Sequence, residues 1–426
     1  MKKLLFIGDL RTAQNYGAVA TTEALIHLLN EERMDIEIRY IDYRSLYNPT
    51  PVNGFSVPQS KRNSGQQLRY FLKKIIPESI QEIIKIRRLN RLVDFVPFKY
   101  SQFEEYYNLL QTGKSLQFEK RMIEWADIVY INGEGNIVHG TDAKGKYRMG
   151  ARYILFMAWL AKVKYKKPTL LVNHTVDPDN YNAFEMIENI YPIIDTVFVR
   201  EKLSLPLLEM HGIKNAVFVP DALFSYKDEK EWEPTGYLKS LIDFSKPYIC
   251  IGDSSGLRNK YNRVKWDVVP VYVEIINRLK RIVPQIIFVD GFNGNNNCIL
   301  RVIRETGIGS VNIKNTSYRD LYHVLGGAKI FISGRWHASI LSILANTPIL
   351  LWGSDSHKTK SLYPLLDYDY RFFEVSSLPV NIPELISETK KILDNSDRIK
   401  LKLKEKVALY SNLSYNNAKV LRKYVE

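Results

Sequence analysis

The sequence predicts an α/β protein built of two Rossmann-like domains facing a cleft, and three observations carry that reading. At 426 residues the chain exceeds the size, about 250–300 residues, at which one hydrophobic core stops growing. Strand-length apolar runs alternate with helix-length periodic ones through both halves. The halves also begin alike: "LLFIGD" (Leu4 to Asp9) and "YICIGD" (Tyr248 to Asp253) are each an apolar strand closed by Gly-Asp, then a polar loop, then a helical pattern.

In the first half, "LLFIGD" leads to the helix "TTEALIHLL" and the strand "DIEIRYIDY". Further strands follow at "ADIVYING", "PTLLVNHT", "DTVFV" and "NAVFV", with "EKLSLPLLEMHG" a helix stopped by glycine. The stretch from Tyr226 to Ser240 is polar and acidic without an apolar period, and reads as part of a linker. In the second half the helix "WDVVPVYVEIINRLKRI" precedes the strand "QIIFVDG". Then come the helix "SYRDLYHVLGGA", the strand "KIFISG", the helix "WHASILSILAN" and the strand "PILLWGS". The expected division is an N-terminal domain over 1–225, a linker over 226–246, a C-terminal domain over 247–380, and helices over 381–426 that pack across or back onto the first domain. A helical insertion at about 60–100 interrupts the first domain. Between Lys61 and Arg91 it interleaves nine bases with leucine, isoleucine and phenylalanine. That pattern suits an anionic bilayer surface or a lipid-linked phosphate, and equally a solvated helical face.

Lys and Arg outnumber Asp and Glu by 60 to 46, a bias toward anionic partners. The basic segment comes without recognition-helix, stacking or zinc signatures, which argues against a nucleic-acid binder. The two cysteines, Cys250 and Cys298, have no metal or disulfide spacing, and no metal site is expected. The longest apolar run, "YILFMAWLA", falls short of the ~20 residues that span a bilayer, so a cytoplasmic protein is expected, with peripheral contact at the inner membrane face through 61–91 as an added expectation.

Ligands of open α/β sheets bind outside the carboxyl ends of strands. The polar groups there are Asn15, Gly17, Gly133, Glu134, Gly135, His139, Asn173, His174, Arg200, Glu201 and Asp221 in the first half. The second half adds Asp253, Ser254, Asp290, Ser333, Arg335, His337, Ser354 and Lys358. Several have plain structural readings beside the functional one: His174 as a satisfied core histidine, Glu201 as a carboxylate on a helix N-terminus, Asp221 as a turn former after Pro220. "SGRWHASI" is stronger. It sets Arg335 and His337 at a strand-to-helix turn, where free N–H groups favour an anion, so a fixed cation and a proton donor stand side by side.

With these motifs the chain resembles the polysaccharide pyruvyl transferase family. The resemblance runs from the first strand through Lys358 and rests on "NYGA", the glycine-containing turn after "ADIVYI", "VREKLSLPLLEMHGI" followed by "PDALF", and "ISGRWHASILSILANTPIL" with a lysine shortly after. It implies a two-domain fold similar to GT-B glycosyltransferases and transfer of pyruvate from phosphoenolpyruvate to sugar hydroxyls as a ketal, in bacterial surface polysaccharide synthesis. By position Arg335 and His337 match the family's Arg-x-His, with Arg200, Asp221 and Lys358 matching further motifs. The chain departs from the family at Glu134, where three glycines are common, and at Trp336, where leucine is usual. The roles then expected are His337 as general acid, Arg335, Lys358, Arg200 and Ser333 around the donor, and Glu134 or Asp221 assisting the acceptor. Asn15, Gly17, Gly133, Gly135, His139 and His174 would line the cleft. No cofactor is implied beyond the donor, and the partner is a saccharide acceptor, lipid-linked or soluble. The competing reading is a glycosyltransferase using a nucleotide-activated sugar with Glu134 as base. Against its retaining form, no glutamate occurs between Leu321 and Phe373.

Overall fold

The computed structural model describes residues 1–42, 96–113, 115–139, 148–257, 265–291 and 297–426. The basic stretch 61–91 lies outside the described residues. Strand β1 (Lys2–Ile7) shows how the first sheet is made: Leu4, Leu5, Phe6 and Ile7 are all fully buried, as a central strand covered on both faces requires. Around it the order is β2-β1-β3-β4-β5-β6, with β2 at Ile36–Ile41, β3 at Ile128–Glu134, β4 at Thr169–His174, β5 at Thr196–Val199 and β6 at Ala216–Phe218. Every pairing is parallel. Helix α1 (Tyr16–Glu31) follows β1. Further along are α2 (Phe103–Gln111), α3 (Gln117–Trp125), α4 (Met149–Trp159), α5 (Tyr181–Ile190) and α6 (Ser204–Met210). The apolar run noted above falls in α4, where Tyr153 to Ala158 are fully buried.

The second sheet is also parallel, in the order β11-β10-β7-β8-β9. Its strands are β7 (Tyr248–Ser254), β8 (Gln285–Asp290), β9 (Gly309–Asn312), β10 (Phe331–Gly334) and β11 (Ile349–Leu351). Helices α7 (Gly236–Leu241), α8 (Val268–Lys280), α9 (Asn297–Thr306), α10 (Tyr318–Gly327), α11 (Trp336–Leu344) and α12 (Lys358–Leu366) accompany it. Ser317 and Asp320 form a capping box at the start of α10, which fixes that helix where the sequence placed it.

Each sheet reverses its direction of growth once. In the first the reversal lies between β1 and β3, and in the second between β7 and β10. Such switch points open the crevice that open α/β sheets use for ligands. Here both crevices face the same cleft.

Among the described residues two connections join the halves. Residues 226–246 were expected to form a polar linker, and in the structure they are pinned to the second domain. Arg319 donates to Asp228 at 2.8 and 3.0 Å, Trp232 stacks on His323 with ring centroids 4.5 Å apart, and Leu238 in α7 is fully buried. At the other end, α13 (Ile382–Asp394) and α14 (Ser396–Ser414) lead the chain back. There Tyr130 donates to the Asn417 carbonyl at 2.9 Å, Asn417 donates to the Pro220 carbonyl at 3.0 Å, and Ala418 and Leu421 join the apolar core beside β1 and β3. Among the described residues no helix is long and apolar enough to cross a membrane.

Candidate active site

Between the two switch points lies a cleft of about 730 Å³. Residues 13–18, Glu134, Gly135, Arg148 and Arg200 line it from the first domain, and Ser255, Gly291, residues 334–338, Asp355 and Lys358 from the second. Helices α1 and α11 are among those that start on its wall. Asn15 caps α1 by accepting from the Gly17 and Ala18 N–H groups at 2.9 and 3.2 Å. No side chain caps α11 among the described residues, so the partial positive charge of its first turn faces the cleft beside Arg335.

Arg335 is held across the second switch point. Its Nε donates to Asp253 Oδ1 at 2.6 Å and a second guanidinium N–H to Oδ2, a two-toothed pairing that fixes the plane of the fork. Ser333 is fully buried and does not reach the cleft. Its Oγ accepts from the Arg335 N–H at 3.1 Å and donates to the Asp253 carbonyl at 3.1 Å, so it shapes the turn rather than touching a ligand.

His337, in the first turn of α11, meets the first domain. Its Nε2 lies 3.0 Å from an Arg200 nitrogen and 3.3 Å from Asp221 Oδ2, and its Nδ1 lies 3.5 Å from Glu134 Oε1. Asp221 was expected to assist the acceptor, and the structure corrects this. The carboxylate is fully buried beneath the cleft and its oxygens are already taken. Oδ1 accepts from Thr21 at 2.9 Å and the Leu223 N–H at 3.0 Å, while Oδ2 accepts from Arg200 and from Trp336 Nε1, each at 2.9 Å. Burial would raise its pKa, but His337, Arg200 and the hydrogen bonds hold it well below the usual carboxylate range. It therefore positions Arg200, Trp336 and His337. Trp336 gives this network an indole donor.

Glu134 does line the cleft. Its φ of 46° is in the left-handed region that favours glycine, so the carboxylate is presented at a cost in backbone strain. The Gly135 N–H donates to it. Burial pushes its pKa up, yet Arg200, His337, Gly135 and Lys358 together bring it below its ordinary value. Lys358 and Asp355 pair at 2.6 Å on the opposite wall, and Asp355 also accepts from Ser255 at 2.8 Å. Gly17 closes the packing: a Cβ there would run into the His337 ring.

Three expected cleft residues lie elsewhere. Successive side chains of a strand point to opposite faces, so Asn173 and His174 part company at the end of β4. Asn173 turns toward α1 and donates to Thr21 at 3.0 Å. His174 turns the other way, fully buried, with Nε2 2.8 Å from the Tyr191 hydroxyl. Burial, and then the nearby Arg200 charge, lower its pKa to about 3, so it is a neutral core histidine. Gly133 is a packing glycine against which His174 rests. His139 pairs with Asp177 and Asp179, each at 3.3 Å, away from the cleft lining. Conversely Arg148, Asp355 and Ser255 line the cleft without having been singled out. Arg148 and Asp355 stand in loops and Ser255 opens a short 3-10 turn, all in local sequence that carries no period or motif. Among the described residues no group of three His, Cys, Asp or Glu side chains is placed to hold a metal.

The family model for polysaccharide pyruvyl transferase matches residues 15–381, which takes in both walls of this cleft. The chain belongs to the polysaccharide pyruvyl transferase family. It is a transferase by that membership. No curated protein matches it. Among solved structures it is similar to the S. aureus MnaA–UDP co-structure, at 12% identity over 100% of this chain and 97% of the other, with a TM-score of 0.56. It is also similar to the UDP-GlcNAc 2-epimerase from Neisseria meningitidis bound to UDP-GlcNAc, at 11% identity over 100% and 99% of the chains and a TM-score of 0.54. A glycosyltransferase from Rickettsia africae gives 12% identity, 100% and 98% coverage and a TM-score of 0.52. At these identities the likeness concerns the fold, which is the two-domain GT-B arrangement.

Proposed function

We propose that the cleft transfers the pyruvyl group of phosphoenolpyruvate to two hydroxyls of a saccharide, forming a cyclic ketal and releasing phosphate. The observation that carries this reading is the gathering of Arg335, Arg148, Arg200 and Lys358 with two helix N-termini around one histidine. Phosphoenolpyruvate carries a carboxylate and a phosphate, and guanidinium forks, an ammonium and helix N-termini are the groups that bind such anions. The match of the family model supports the same reaction class.

The chemistry needs a proton at the methylene carbon and a place for the protons that leave the sugar. His337 delivers the first, converting the methylene to a methyl and leaving an oxocarbenium-like centre at the adjacent carbon. One sugar hydroxyl adds there, phosphate departs, and a second hydroxyl closes the ring. Each hydroxyl becomes strongly acidic once its oxygen has bonded, so a carboxylate of low basicity suffices to take its proton, and of the two that line the cleft Glu134 stands beside His337 while Asp355 is engaged by Lys358 and Ser255. The two hydroxyl protons balance the one added to carbon and the one that leaves on phosphate. The acceptor is a surface glycan precursor, lipid-linked or soluble.

A thermal-shift screen on wild type and Arg335→Ala tests the donor. Phosphoenolpyruvate is expected to raise the Tm of wild type and not of the variant. A shift with nucleotides or nucleotide sugars alone would overturn the reading and turn the cleft to glycosyl transfer.

A further inference from the structure

The Arg200–Glu201 pair at the end of β5 divides its attention between two histidines of the second domain. Arg200 meets His337, as described. Glu201 meets His357, the residue just before α12, with Oε1 3.1 Å from His357 Nε2. Glu201 is fully buried and held by Ser204, whose backbone N–H donates to Oε2 at 3.2 Å and whose hydroxyl donates to Oε1, the oxygen that faces His357. On the other side, the His357 backbone N–H donates to Asp177 Oδ2 at 2.7 Å, and Nδ1 lies 3.4 Å from the same oxygen. Asp177 is itself steadied by His139, 3.3 Å away. The start of α12 is thus fastened to the first domain by three contacts through one residue. The next residue is Lys358, whose ammonium enters the cleft.

We propose that His357 is a positioning residue: docked between Asp177 and Glu201, it fixes the first turn of α12 and so holds the Lys358 ammonium on the cleft wall where the anionic donor is met. This rests on the reading of the cleft as a phosphoenolpyruvate site. The charges around the ring agree with the geometry. Facing it are Asp177 and Glu201, with His139 and Asp179 behind Asp177, and Asp355 and Lys358 on its own segment. Burial alone would lower the His357 pKa, but the hydrogen bonds and charges of Asp177 and Glu201 raise it to about 9, so the docked ring is an imidazolium at neutral pH. A folded-state value above the ordinary 6.5 means that the docking is fully present below pH 6.5 and is lost as pH rises through about 9.

The test compares wild type, His357→Gln, Lys358→Met and the double variant of the full chain. Without any ligand, amide hydrogen exchange over 355–362 is expected to quicken in His357→Gln. With phosphoenolpyruvate, its KM is expected to rise about tenfold while kcat stays within about twofold, the split of a binding rather than a chemical defect. The double variant is expected to be no worse than Lys358→Met, since the effect passes through that lysine. Wild-type KM should also climb above about pH 8–9, a rise that His357→Gln lacks. Unchanged exchange in His357→Gln overturns the docking. Faster exchange with an unchanged KM, or a double variant that loses the sum of the single effects, overturns the positioning of Lys358. A wild-type chain that neither binds nor turns over phosphoenolpyruvate sinks the donor reading instead, and the exchange measurement still decides the docking by itself.

Discussion

His337 and His357 invite comparison because each stands at the start of a second-domain helix and reaches carboxylates of the first domain. Their surroundings differ in two respects that set their uses apart. His337 has the Arg200 guanidinium 3.0 Å from one ring nitrogen and opens onto a 730 Å³ cleft. Both rings have a carboxylate at each nitrogen, Asp221 at 3.3 Å and Glu134 at 3.5 Å for His337, Glu201 at 3.1 Å and Asp177 at 3.4 Å for His357. A ring held between two anions keeps its proton at neutral pH and suits an anchor. A ring flanked by a cation as well as carboxylates, and open to a ligand, suits proton exchange. The lesson is that the neighbours of an imidazole, rather than its place at an interdomain seam, decide what it does.

The largest effect that could break this comparison is the loss of the cleft histidine. His337→Ala is expected to lower kcat for ketal formation by about 10²–10⁴-fold, the usual weight of a positioned acid or base. Its unfolding midpoint should move little, because the ring is at the domain boundary and Asp221 retains its bonds from Thr21, Leu223, Arg200 and Trp336. Full turnover in the variant would remove His337 from the mechanism and erase the contrast with His357.

The middle case separates holding from reacting. Asp221→Asn keeps one acceptor oxygen but leaves Arg200 without its buried counter-charge, which is expected to cost about 3 kcal/mol, the lower end for breaking a buried pair. Urea unfolding at pH 7 would measure it. The Asp221 pKa is depressed in the folded state, so the stability it gives is present above its ordinary 3.8 and fades as pH falls through the folded value. The gap between wild type and variant should therefore narrow below about pH 4. A gap that stays constant with pH would mean that the carboxylate's charge is not what holds the network.

Much of this was legible in the sequence, and the reasons are local. Of the eleven strands among the described residues, ten were marked by apolar runs, because buried parallel strands leave such runs whatever lies around them. The exception, β9, is the edge strand Gly309–Asn312, with the short sequence GSVN and one fully buried apolar residue, Val311. Arg335 and His337 were legible because a strand-to-helix turn fixes where its residues point. His174 was misplaced because the strand's two-residue period decides its face, and nothing in "LVNHT" states which face looks at the cleft. Asp221 and His139 were misjudged for another reason: their partners, Thr21, Trp336 and Asp177, come from distant parts of the chain. The same holds for Arg148 and Asp355, whose place in the cleft is made by tertiary packing.

The smallest expected effect gives the finest probe of the two histidines. Gly17 sits in the first turn of α1, and a side chain there meets the His337 ring rather than solvent. Alanine is the better helix former, by up to about 1 kcal/mol, so on propensity alone Gly17→Ala should stabilise the fold. The His337 Cβ and ring, both of which it would press on, must then shift, moving the ring from its place between Arg200, Asp221 and Glu134. Because a misplacement of about 1 Å can cost as much as 10²-fold, kcat is expected to fall about tenfold while Tm changes by only a few degrees. Exchange at 355–362 should stay as in wild type, since His357 is docked by Asp177 and Glu201 and not by α1. If kcat holds while that exchange quickens, the two clusters are one mechanical unit, and the division between an anchoring and a reacting histidine fails.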